Sequence, residues 1–357
     1  MNQDLSQQLQ QQVVAANESK TPLQIQGGGS KNFLGRINQA TPLAVSGHRG
    51  VVSYDPVELV ITARAGTPLR ELEQTLADAG QMLPFEPPHF GTDATLGGAI
   101  ACGHSGPARP FSGSARDYVL GVKLINGRGE ILNFGGQVMK NVAGYDCSRL
   151  MAGAMGTLGV LLEISLKVLP KAAAETTLIQ PISLAQALDT MNQWSGKSLP
   201  LSAASYDGDN LYLRLSGAKT AVESAQQLIG GEQHDDSPAL WQSVKEQQHP
   251  FFKSELPLWR LSLPAATAPL DIPGTWFIDW CGAQRWLLSE AEPELVRKKA
   301  RAAGGHATLF RRGTSDIDAA IETFQWPESG VMQLHRRLKQ AFDPAGILNP
   351  GRLYADL

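Results

Sequence analysis

The spacing of apolar and polar residues predicts short helices and strands from the start of the chain. Leu5, Leu9 and Val13 recur at helical spacing inside the Gln-rich residues 2–16, so this stretch is expected to form an amphipathic helix. Short runs rich in β-branched residues, separated by turns, continue to residue 62 and predict strands. The chain therefore begins as a mixture of helix and sheet.

A second helix is expected over the sequence TPLRELEQTLADAG. Thr67 is its candidate N-cap, Pro68 suits its first position and Gly80 suits its end. The following residues 81–115 are rich in glycine and proline. Only a short helix around Thr95–Cys102 fits there, and the remainder is expected to be loop.

The sequence YVLGVKLINGRGEILNF predicts a β-hairpin, because apolar residues alternate on both sides of Asn126-Gly127. A further strand run, GTLGVLLEISLKVLP, ends at Pro170. Beyond Lys171 the long glycine-rich loops stop and all seven tryptophans of the chain appear. A domain boundary is therefore expected near this residue.

Helices alternate with hairpins after the boundary, which predicts a small α+β domain of ferredoxin-like style. This cap domain is expected to span residues 172–337, and residues 338–357 are expected to return to the first domain as a C-terminal tail. Within the first domain, 1–171, two subdomains are expected over about 1–62 and 63–171. No internal repeat with a period of about 20 to 50 residues is visible.

The composition narrows the classes of function. The formal net charge of the 357 residues is −3, so no global positive field would gather nucleic acid or an anionic membrane surface. Cys102, Cys147 and Cys281 are too few and too dispersed for a disulfide framework, a four-cysteine zinc site or an iron–sulfur cluster, and no metal site is expected. No signal peptide or transmembrane segment is recognisable, so a cytoplasmic protein is expected.

Two glycine-rich segments are candidates for binding an anion. In PLQIQGGGSKNFLG, residues 22–35, the backbone N–H groups around the triple glycine can converge on a pyrophosphate. In GTDATLGGAIACGHSG, residues 91–106, a short helix starts at Thr95, and Gly97 and Gly98 leave its backbone bare. The first segment fits a plain turn equally well, and it lacks both common nucleotide fingerprints. The second fits close helix–strand packing equally well.

The order of these segments resembles the FAD-binding domain of the vanillyl-alcohol oxidase and p-cresol methylhydroxylase superfamily. The resemblance rests on PLQIQGGGSKNFLG, LPFEPPHFGTDATLGGAIA, GTLGVLLEISLKVLP and FDPAGILNPG, within residues 20–171 and 338–354. It implies an α+β protein with a two-subdomain FAD-binding domain and a small ferredoxin-like cap domain.

The resemblance also implies which residues hold FAD. The first glycine segment would bind the pyrophosphate through its backbone, the second would line the other side, and residues from a turn, a strand and the tail would approach the flavin and the adenosine. Members that bind flavin covalently often use a histidine in the first loop, which has none here, so non-covalent FAD is expected. The implied cofactor-binding residues are Gln26, Gly27, Gly28, Gly29, Ser30, Lys31, Asn32, Pro87, Thr95, Gly97, Gly98, Ala101, Ser112, Gly113, Gly159, Val160 and Asn349.

A narrower resemblance covers residues 106–160. The sequence GPARPFSGSARDYVLGVKLINGRGEILNFGGQVMKNVAGYDCSRLMAGAMGTLGV is similar to the FAD-binding subunits of bacterial glycolate oxidase, also called glycolate dehydrogenase. This resemblance implies oxidation of glycolate, a small 2-hydroxy acid, to glyoxylate. It implies two partners, a larger paralogous flavin subunit and an iron–sulfur subunit that receives the electrons. Peripheral association with the inner face of the membrane through these partners is a further implication.

Oxidation of a 2-hydroxy acid needs a cationic group for the carboxylate and a base for the hydroxyl proton. Arg109 and Arg116 flank a glycine-containing turn and are candidates for the first role, although Arg116 and Asp117 suit ion pairs inside the domain equally well. His104 is a candidate base or, alternatively, a hydrogen-bonded loop residue. Further candidates in the loop VMKNVAGYD are Lys140, Asn141 and Tyr145.

The predicted cap domain departs from that of larger relatives, which carry a metal-binding histidine pair and a Glu-His motif there. Residues 172–337 contain neither, and their histidines are scattered: His234, His249, His306 and His335. Three functions therefore stay open. The chain is a glycolate oxidase subunit, a self-sufficient FAD-linked 2-hydroxy-acid dehydrogenase of the D-lactate type with Tyr145 or His104 as base, or an assembly subunit without a redox role.

Overall fold

The computed structural model describes residues 2–36, 39–136, 147–314 and 321–357. The chain divides into two compact units. The first unit comprises Met1–Ser105, Ser114–Lys171 and Trp326–Leu357, and the second comprises Gly106–Gly113 and Ala172–Gln325. The chain thus returns to the first unit at Trp326, whereas the sequence predicted that the returning tail begins at residue 338. The segment Gly106–Gly113 joins the second unit because its short helix packs against a strand of that unit.

The chain contains eleven α-helices and seventeen strands among the described residues. Up to residue 171 they are α1 (Ser6–Ser19), β1 (Leu23–Gln26), β2 (Thr41–Ala44), β3 (Val51–Asp55), β4 (Val60–Arg64), α2 (Leu69–Asp78), β5 (Gln81–Met82), α3 (Leu96–Cys102), α4 (Arg109–Ser112), α5 (Ala115–Tyr118), β6 (Val119–Ile125), β7 (Ile131–Gly135), α6 (Cys147–Leu150), β8 (Val160–Lys167) and β9 (Leu169–Pro170). Beyond it they are β10 (Ala174–Pro181), α7 (Leu184–Ser195), β11 (Leu201–Tyr206), β12 (Asn210–Gly217), α8 (Lys219–Ile229), β13 (Glu232–Gln233), α9 (Ser237–Lys245), β14 (Leu258–Ser262), β15 (Thr275–Asp279), β16 (Gln284–Leu288), α10 (Pro293–Ala302), β17 (His306–Arg311) and α11 (Ser329–Phe342).

An antiparallel sheet in the order β3-β4-β8-β6-β7 forms the centre of the first unit. Strand β4 pairs with both β3 and β8, so one sheet spans the two expected subdomains. Parallel strands β1 and β2 and the short pair β5 and β9 lie outside this sheet. Apolar side chains of the sheet pack with α1 and α2 into one core, which includes Leu9, Val13, Ile61, Ala63, Leu69, Leu72, Leu76, Leu162 and Ile164.

Helix α2 has the predicted apolar stripe but a different N-cap. Pro68 is the N-cap residue, and the Thr67 hydroxyl instead accepts a 2.9 Å hydrogen bond from the Gly50 N–H. The prediction for Thr67 is wrong because the neighbouring loop uses this hydroxyl. Gly80 follows the C-cap residue with φ of +67°, a conformation that favours glycine at a helix end.

Strands β6 and β7 form the predicted hairpin with a longer connection than a two-residue turn. Ile125 pairs with Ile131, and Asn126 Oδ1 accepts hydrogen bonds from the N–H groups of Arg128 (2.9 Å) and Glu130 (3.0 Å). The residue with positive φ is Gly129. The hairpin is therefore predictable from the alternation, whereas the Asn126 side chain sets the loop.

The second unit is built on an eight-stranded antiparallel sheet with the order β13-β10-β12-β11-β15-β16-β14-β17. Its first half runs β10-α7-β11-β12-α8-β13 along the chain, which is the ferredoxin-like arrangement. The second half repeats the strand order with β14, β15, β16 and β17, and α10 precedes the last strand. This repeat is longer than the period of about 20 to 50 residues that is typical of repeat proteins.

Three elements of the second unit are absent from the sequence prediction: strands β10 and β13 and helix α9. Strand β10 pairs with β12 over eight residues, and α9 contributes Leu240, Trp241 and Val244 to the interior. Ferredoxin-like α+β style is nevertheless the observed class. No helix within the described ranges is both long and apolar enough to cross a bilayer.

Candidate functional site

A cleft that is open to solvent lies in the first unit, and it encloses about 970 Å³ of empty space, part of which is continuous with the solvent. The first glycine loop, the start of α3, residues 151–156 and the C-terminal tail form its wall. The two glycine-rich segments therefore meet at one place. The predicted cofactor-binding residues that line the cleft are Gly27, Gly28, Gly29, Ser30, Lys31, Asn32, Thr95, Gly97, Gly98, Ala101, Gly159 and Asn349.

Five predicted cofactor-binding residues lie outside the cleft wall. Gln26 ends β1, Pro87 is buried, and Val160, the first residue of β8, is fully buried. Ser112 and Gly113 belong to the second unit. The cleft itself gives these five assignments no support.

Several residues of the cleft wall have no counterpart in the sequence prediction. They comprise apolar side chains, a thiol and an arginine, namely Ile25, Val45, Ala65, Cys102, Met151, Ala154, Met155, Leu161 and Arg352. One signal was present in the sequence MAGAM, because small residues directly before GTLGV indicate close approach of the backbone to a neighbour. Arg352 directly follows the tail motif FDPAGILNPG.

The first glycine loop presents a series of unused backbone donors. The N–H groups of Gly27, Gly28, Gly29 and Ser30 donate no hydrogen bond to any part of the chain that the structure describes. The loop turns at Gly29, whose φ is +75° and whose carbonyl accepts a bond from Asn32 N–H at 3.0 Å. Consecutive free donors at a cleft are the arrangement that binds a phosphate group.

The glycines of the cleft have different reasons for lacking a side chain. A Cβ at Gly28 would lie 1.4 Å from the Asp93 carbonyl oxygen, and one at Gly97 would lie 2.8 Å from the Ala65 Cβ. These two positions are therefore required by packing within the protein. At Gly98 a Cβ would meet only the Thr95 Oγ1, at 3.2 Å, so this glycine keeps room in the cleft itself.

Helix α3 begins at the cleft, but its first backbone donors are already occupied. The N–H groups of Leu96 and Gly97 donate to the carbonyls of Thr67 (2.9 Å) and Ala65 (2.7 Å), and Gly98 N–H donates to Thr95 Oγ1 (3.2 Å). Thr95 is thus the N-cap, as predicted for the helix start. The use of these N–H groups inside the protein favours the alternative of close helix–strand packing for this helix start, and its binding of an anion stays a prediction.

Two cations line the cleft, and no acidic side chain is part of its wall within the described residues. Lys31 is buried and donates to the His89 carbonyl at 3.1 Å. Arg352 donates from Nη1 to the Arg36 carbonyl (2.8 Å) and from Nη2 to the Asn32 carbonyl (3.2 Å). Burial lowers the pKa of Arg352, and an arginine remains charged at neutral pH. The cleft is therefore electropositive.

Asn349 holds the tail against two other segments of the cleft. Its Oδ1 accepts from Ile25 N–H and its Nδ2 donates to the Met155 carbonyl, both at 2.7 Å, while its own N–H donates to Leu23 (2.9 Å). The residue has φ of +41°. Since both ends of its amide group bond to other segments of the protein, Asn349 positions the cleft wall.

A buried ion pair fixes the tail immediately before Asn349. Lys339 on α11 donates to Asp343 Oδ2 (2.7 Å) and to the carbonyls of Leu348 (2.7 Å) and Thr157 (3.0 Å). Burial lowers the pKa of Lys339, while the Asp343 carboxylate opposes that effect. The pair therefore joins α11, the tail and the start of the 157–160 segment.

The candidate catalytic residues that the structure describes in the first unit, His104 and Arg116, are not part of the cleft wall. His104 is buried, with its ring 6.2 Å from that of Phe90, and it is not part of the cleft wall. Arg109 belongs to the second unit, while Arg116 is exposed on α5. Lys140, Asn141 and Tyr145 lie outside the described residues.

The contacts around Arg116 favour a role in ion pairs inside the domain over a role in binding substrate. Asp117 accepts hydrogen bonds from the Ser114 N–H (2.8 Å) and hydroxyl (2.7 Å) and so caps α5. Burial raises the pKa of Asp117, but the Ser114 hydrogen bonds and the charges of Arg149 and Arg116 lower it overall. The Arg116 charge thus stabilises the ionised form of the Asp117 carboxylate, which caps α5.

Of the four histidines predicted for the cap, three lie in the second unit. His335 lies on α11 of the first unit, and His306 begins β17 at an exposed position. Burial lowers the pKa of His249, and Asp207, 3.9 Å from its Nε2, opposes this. His234 contacts the ring of Tyr212. Among the described residues no group of three His, Cys, Asp or Glu side chains is placed to hold a metal ion.

The residues that line the cleft have the chemical properties needed to bind FAD. A diphosphate needs backbone donors and positive charge, which Gly27–Ser30, Lys31 and Arg352 supply. Flat rings need apolar walls, which Ile25, Val45, Ala65, Met151, Met155 and Leu161 supply. Phosphate chemistry and ring packing are thus provided in the same cleft.

Comparison with known proteins identifies related sequences. Two family models match: an FAD binding domain over residues 5–135 and an FAD linked oxidase C-terminal domain over residues 325–353. The Escherichia coli glycolate oxidase subunit GlcE is 51% identical over 99% of this chain and 99% of its own length. The Bacillus subtilis glycolate oxidase subunit GlcD is 24% identical over 85% of this chain and 77% of its own. An Archaeoglobus fulgidus D-lactate dehydrogenase is 30% identical over 52% of this chain and 42% of its own.

Solved structures share the fold at low sequence identity. A 4-ethylphenol oxidase from Gulosibacter chungangensis has a TM-score of 0.68 at 16% identity, covering 98% of this chain and 88% of its own. An alkyldihydroxyacetonephosphate synthase has a TM-score of 0.67 at 16% identity, covering 96% and 75%. These likenesses concern the fold alone, and they confirm the predicted α+β class with an FAD-binding domain.

Proposed function

The chain belongs to the family of glycolate oxidase subunits that includes GlcE, and from this premise we propose that it provides one FAD site of a multi-subunit glycolate oxidase. Membership of this family makes the chain an FAD-dependent oxidoreductase acting on 2-hydroxy acids. The proposed reaction is oxidation of glycolate to glyoxylate. The observation that carries the proposal is the electropositive cleft with four unused backbone donors in the first unit.

In this proposal the chain binds the two halves of the cofactor by different means. The N–H groups of Gly27–Ser30 donate to the diphosphate, and Lys31 and Arg352 neutralise its charge. The apolar wall packs against the rings and excludes water, which strengthens the electrostatic contacts inside. FAD, when bound, supplies the chemistry of accepting a hydride from the substrate carbon.

Attachment of FAD is proposed to be non-covalent. No histidine lines the cleft within the described ranges, and Cys102 is its one thiol there. Burial raises the pKa of Cys102, with the charges of Lys31 and Arg352 opposing, so the thiol stays protonated at neutral pH. A protonated thiol is a poor nucleophile, which supports a dissociable cofactor.

The proposed partners are a larger flavin subunit related to GlcD and an iron–sulfur subunit that takes up the electrons. The chain's three cysteines are too few to ligate a four-cysteine cluster, so the proposal assigns that cluster to a separate chain. A cytoplasmic location, with association at the inner face of the membrane through these partners, stays a prediction.

The test is purification of the complex with this chain as wild type or as Gly98→Val, followed by counting FAD per subunit. We expect the variant complex to lose the equivalent of one FAD per copy of this chain and to lose glycolate-dependent dye reduction. Full flavin content in the variant would contradict the cleft assignment. Loss of FAD with unchanged dye reduction would favour an assembly subunit without a redox role.

A further inference from the structure

An apolar patch is exposed on the C-terminal segment of the first unit. On helix α11, Val331 is 46% exposed and Leu334 is 56% exposed, and Trp326, which precedes this helix, is 42% exposed. Leu338, one helical turn after Leu334, packs against the core of the first unit. The apolar stripe of α11 therefore continues from the core onto the surface. A cluster of exposed apolar side chains of this kind is typical of a protein–protein contact.

Aromatic rings join these apolar side chains into one patch and connect it to the tail. The ring centroid of Tyr354 lies 5.5 Å from that of Trp326 and 5.9 Å from that of His335. His335 is four residues after Val331 and is therefore its neighbour on the helix surface. Two residues before Tyr354, Arg352 lines the cofactor cleft. A protein bound to this patch would therefore lie beside the tail that shapes the flavin site.

The charge beside the patch is positive. Helix α11, SGVMQLHRRLKQAF, contains two arginines and a lysine and no acidic residue. The lysine and one arginine are each paired with an aspartate, whereas Arg337 is exposed and forms no hydrogen bond or ion pair with the described residues. Arg337 is three residues from Leu334 and so lies next to it on the helix. Glu328, the carboxylate before the first residue of α11, is about two and a half turns away from Arg337.

This unpaired charge decides between the possible occupants of the patch. A two-fold interface joins identical surfaces, so a second copy of this chain would bring both Arg337 side chains into one interface. Like charges there oppose association, and a partner with negative charge is favoured instead. An iron–sulfur cluster with four thiolate ligands carries a net negative charge. Such a cluster must also lie close to a flavin to accept its electrons, and the patch adjoins the tail that lines the cleft.

We propose that the exposed side chains around the start of α11 bind the iron–sulfur subunit that accepts electrons from the flavin. These residues, called the α11 surface below, are Trp326, Val331, Leu334 and Arg337. The apolar members supply the contact area, and the guanidinium faces the anionic side of the partner. The identity of the partner rests on the proposed function, whereas the position of the surface rests on exposure, ring contacts and charge.

The test measures binding of the purified iron–sulfur subunit to the full chain loaded with FAD, by biolayer interferometry at low and at high salt. Leu334→Glu places a carboxylate in the apolar patch, and Arg337→Glu reverses the charge beside it. We expect each variant to weaken binding at least tenfold at low salt, and the effect of Arg337→Glu to shrink at high salt because ions screen it. The control is Leu228→Glu, since Leu228 is 61% exposed on α8 of the second unit, and it is expected to bind as the wild type does.

Unchanged affinity in both α11 variants would overturn the proposal, as would the absence of binding to the wild type. FAD content shows that each variant is folded, and Leu334→Ser replaces Leu334→Glu if the latter does not fold. Sedimentation velocity gives the oligomeric state of the separate chain. A dimer that Leu334→Glu dissociates would identify a second copy as the occupant and would overturn the proposal as well.

Glycolate oxidation by the wild-type complex is measured in parallel, which separates the two proposals. An active complex whose iron–sulfur subunit does not bind this chain sinks the α11 surface alone. A complex that is inactive with glycolate sinks the proposed function.

Discussion

At the scale of single residues, Gly98 is the position where a side chain most directly tests the cofactor cleft. Gly28 does not serve, since any Cβ there collides with the Asp93 carbonyl and disrupts the loop itself. At Gly98 the added atoms enter the cleft beside Thr95. We expect Gly98→Val to abolish FAD retention after gel filtration while the circular dichroism spectrum remains that of the wild type.

The matched control for this change is Gly196→Val. Gly196 lies after α7 in the second unit, and a Cβ there makes only ordinary contacts, at 3.6 Å and beyond. The control is expected to keep its flavin. Full FAD occupancy in Gly98→Val would remove the assignment of the cleft.

Cys102 reports on the same cleft without any measurement of activity. FAD is expected to protect its thiol, so alkylation by iodoacetamide should be at least tenfold slower in the loaded protein than in the flavin-free protein. Burial raises its pKa above the usual value of 9.0, so the thiolate fraction is small at pH 7 and the rate should increase with every step in pH up to 9.

Mass spectrometry of the alkylated peptides separates Cys102 from the other two thiols. Burial, followed by Asp279, raises the pKa of Cys281 to about 12, so this thiol should stay unmodified. Cys102→Ser identifies the protected signal by removing it. Equal alkylation rates of Cys102 with and without FAD would place the cofactor elsewhere.

Arg352 combines a charge in the cleft with two hydrogen bonds, one to Asn32 of the first glycine loop and one to Arg36 just after it. Hydrogen bonds from a charged group contribute about 1.5–3 kcal/mol each. We expect Arg352→Met to raise the Kd for FAD at least tenfold and to reduce the dependence of that Kd on salt, since one cation is lost. Arg336→Met is the control, because Arg336 is exposed and pairs with Asp356. An unchanged Kd and an unchanged salt dependence in Arg352→Met would show that its charge does not reach the cofactor.

At the scale of elements, the C-terminal tail connects strands and loops that are distant in sequence. A truncation before residue 341, the simplest test on sequence grounds, also removes Asp343 and leaves Lys339 buried without its carboxylate partner. A chain ending at Leu348 keeps that pair and removes Asn349 and Arg352. We expect it to fold and to bind FAD at least tenfold more weakly, as measured by flavin fluorescence titration.

The point variant Asn349→Ala keeps the full length of the tail and removes only the side-chain hydrogen bonds that hold it in position. It removes the bonds to Ile25 and Met155, and about 1–3 kcal/mol of unfolding free energy should be lost in urea denaturation. Asn192→Ala is the control, since Asn192 Nδ2 also donates to a backbone carbonyl but in α7 of the second unit. Wild-type FAD affinity in Asn349→Ala would show that the tail has no part in shaping the cleft.

The elements also show what could be predicted from the sequence. The two glycine segments and the tail motif give the parts of the cleft, because glycine and proline patterns report backbone geometry directly. The occupied N–H groups at the start of α3 could not be predicted, since their acceptors at Thr67 and Ala65 come from a separate segment. The same limit applies to Arg352, whose role depends on contacts with residues more than 300 positions earlier.

At the scale of the whole molecule, the sequence predicts a division into a flavin unit and an α+β unit. It predicts only some of the helices and strands of the second unit. Strand β10 lacks a clear alternation, and it exists because it pairs along β12. Arg109 and Arg260, which both stack on the indole ring of Trp280, are 151 positions apart in the chain, and only the fold of the second unit brings them to this ring.

The separate chain is expected to oxidise glycolate poorly, because no histidine or carboxylate side chain is among the described residues that line the cleft, and a general base contributes roughly 10²–10⁴-fold. The most direct measurement is therefore steady-state dye reduction with glycolate by the separate chain and by the assembled complex, at equal FAD concentration. The predicted result is turnover per flavin at least one hundredfold higher in the complex. Comparable turnover per flavin in the two preparations would contradict the subunit assignment and identify a self-sufficient dehydrogenase.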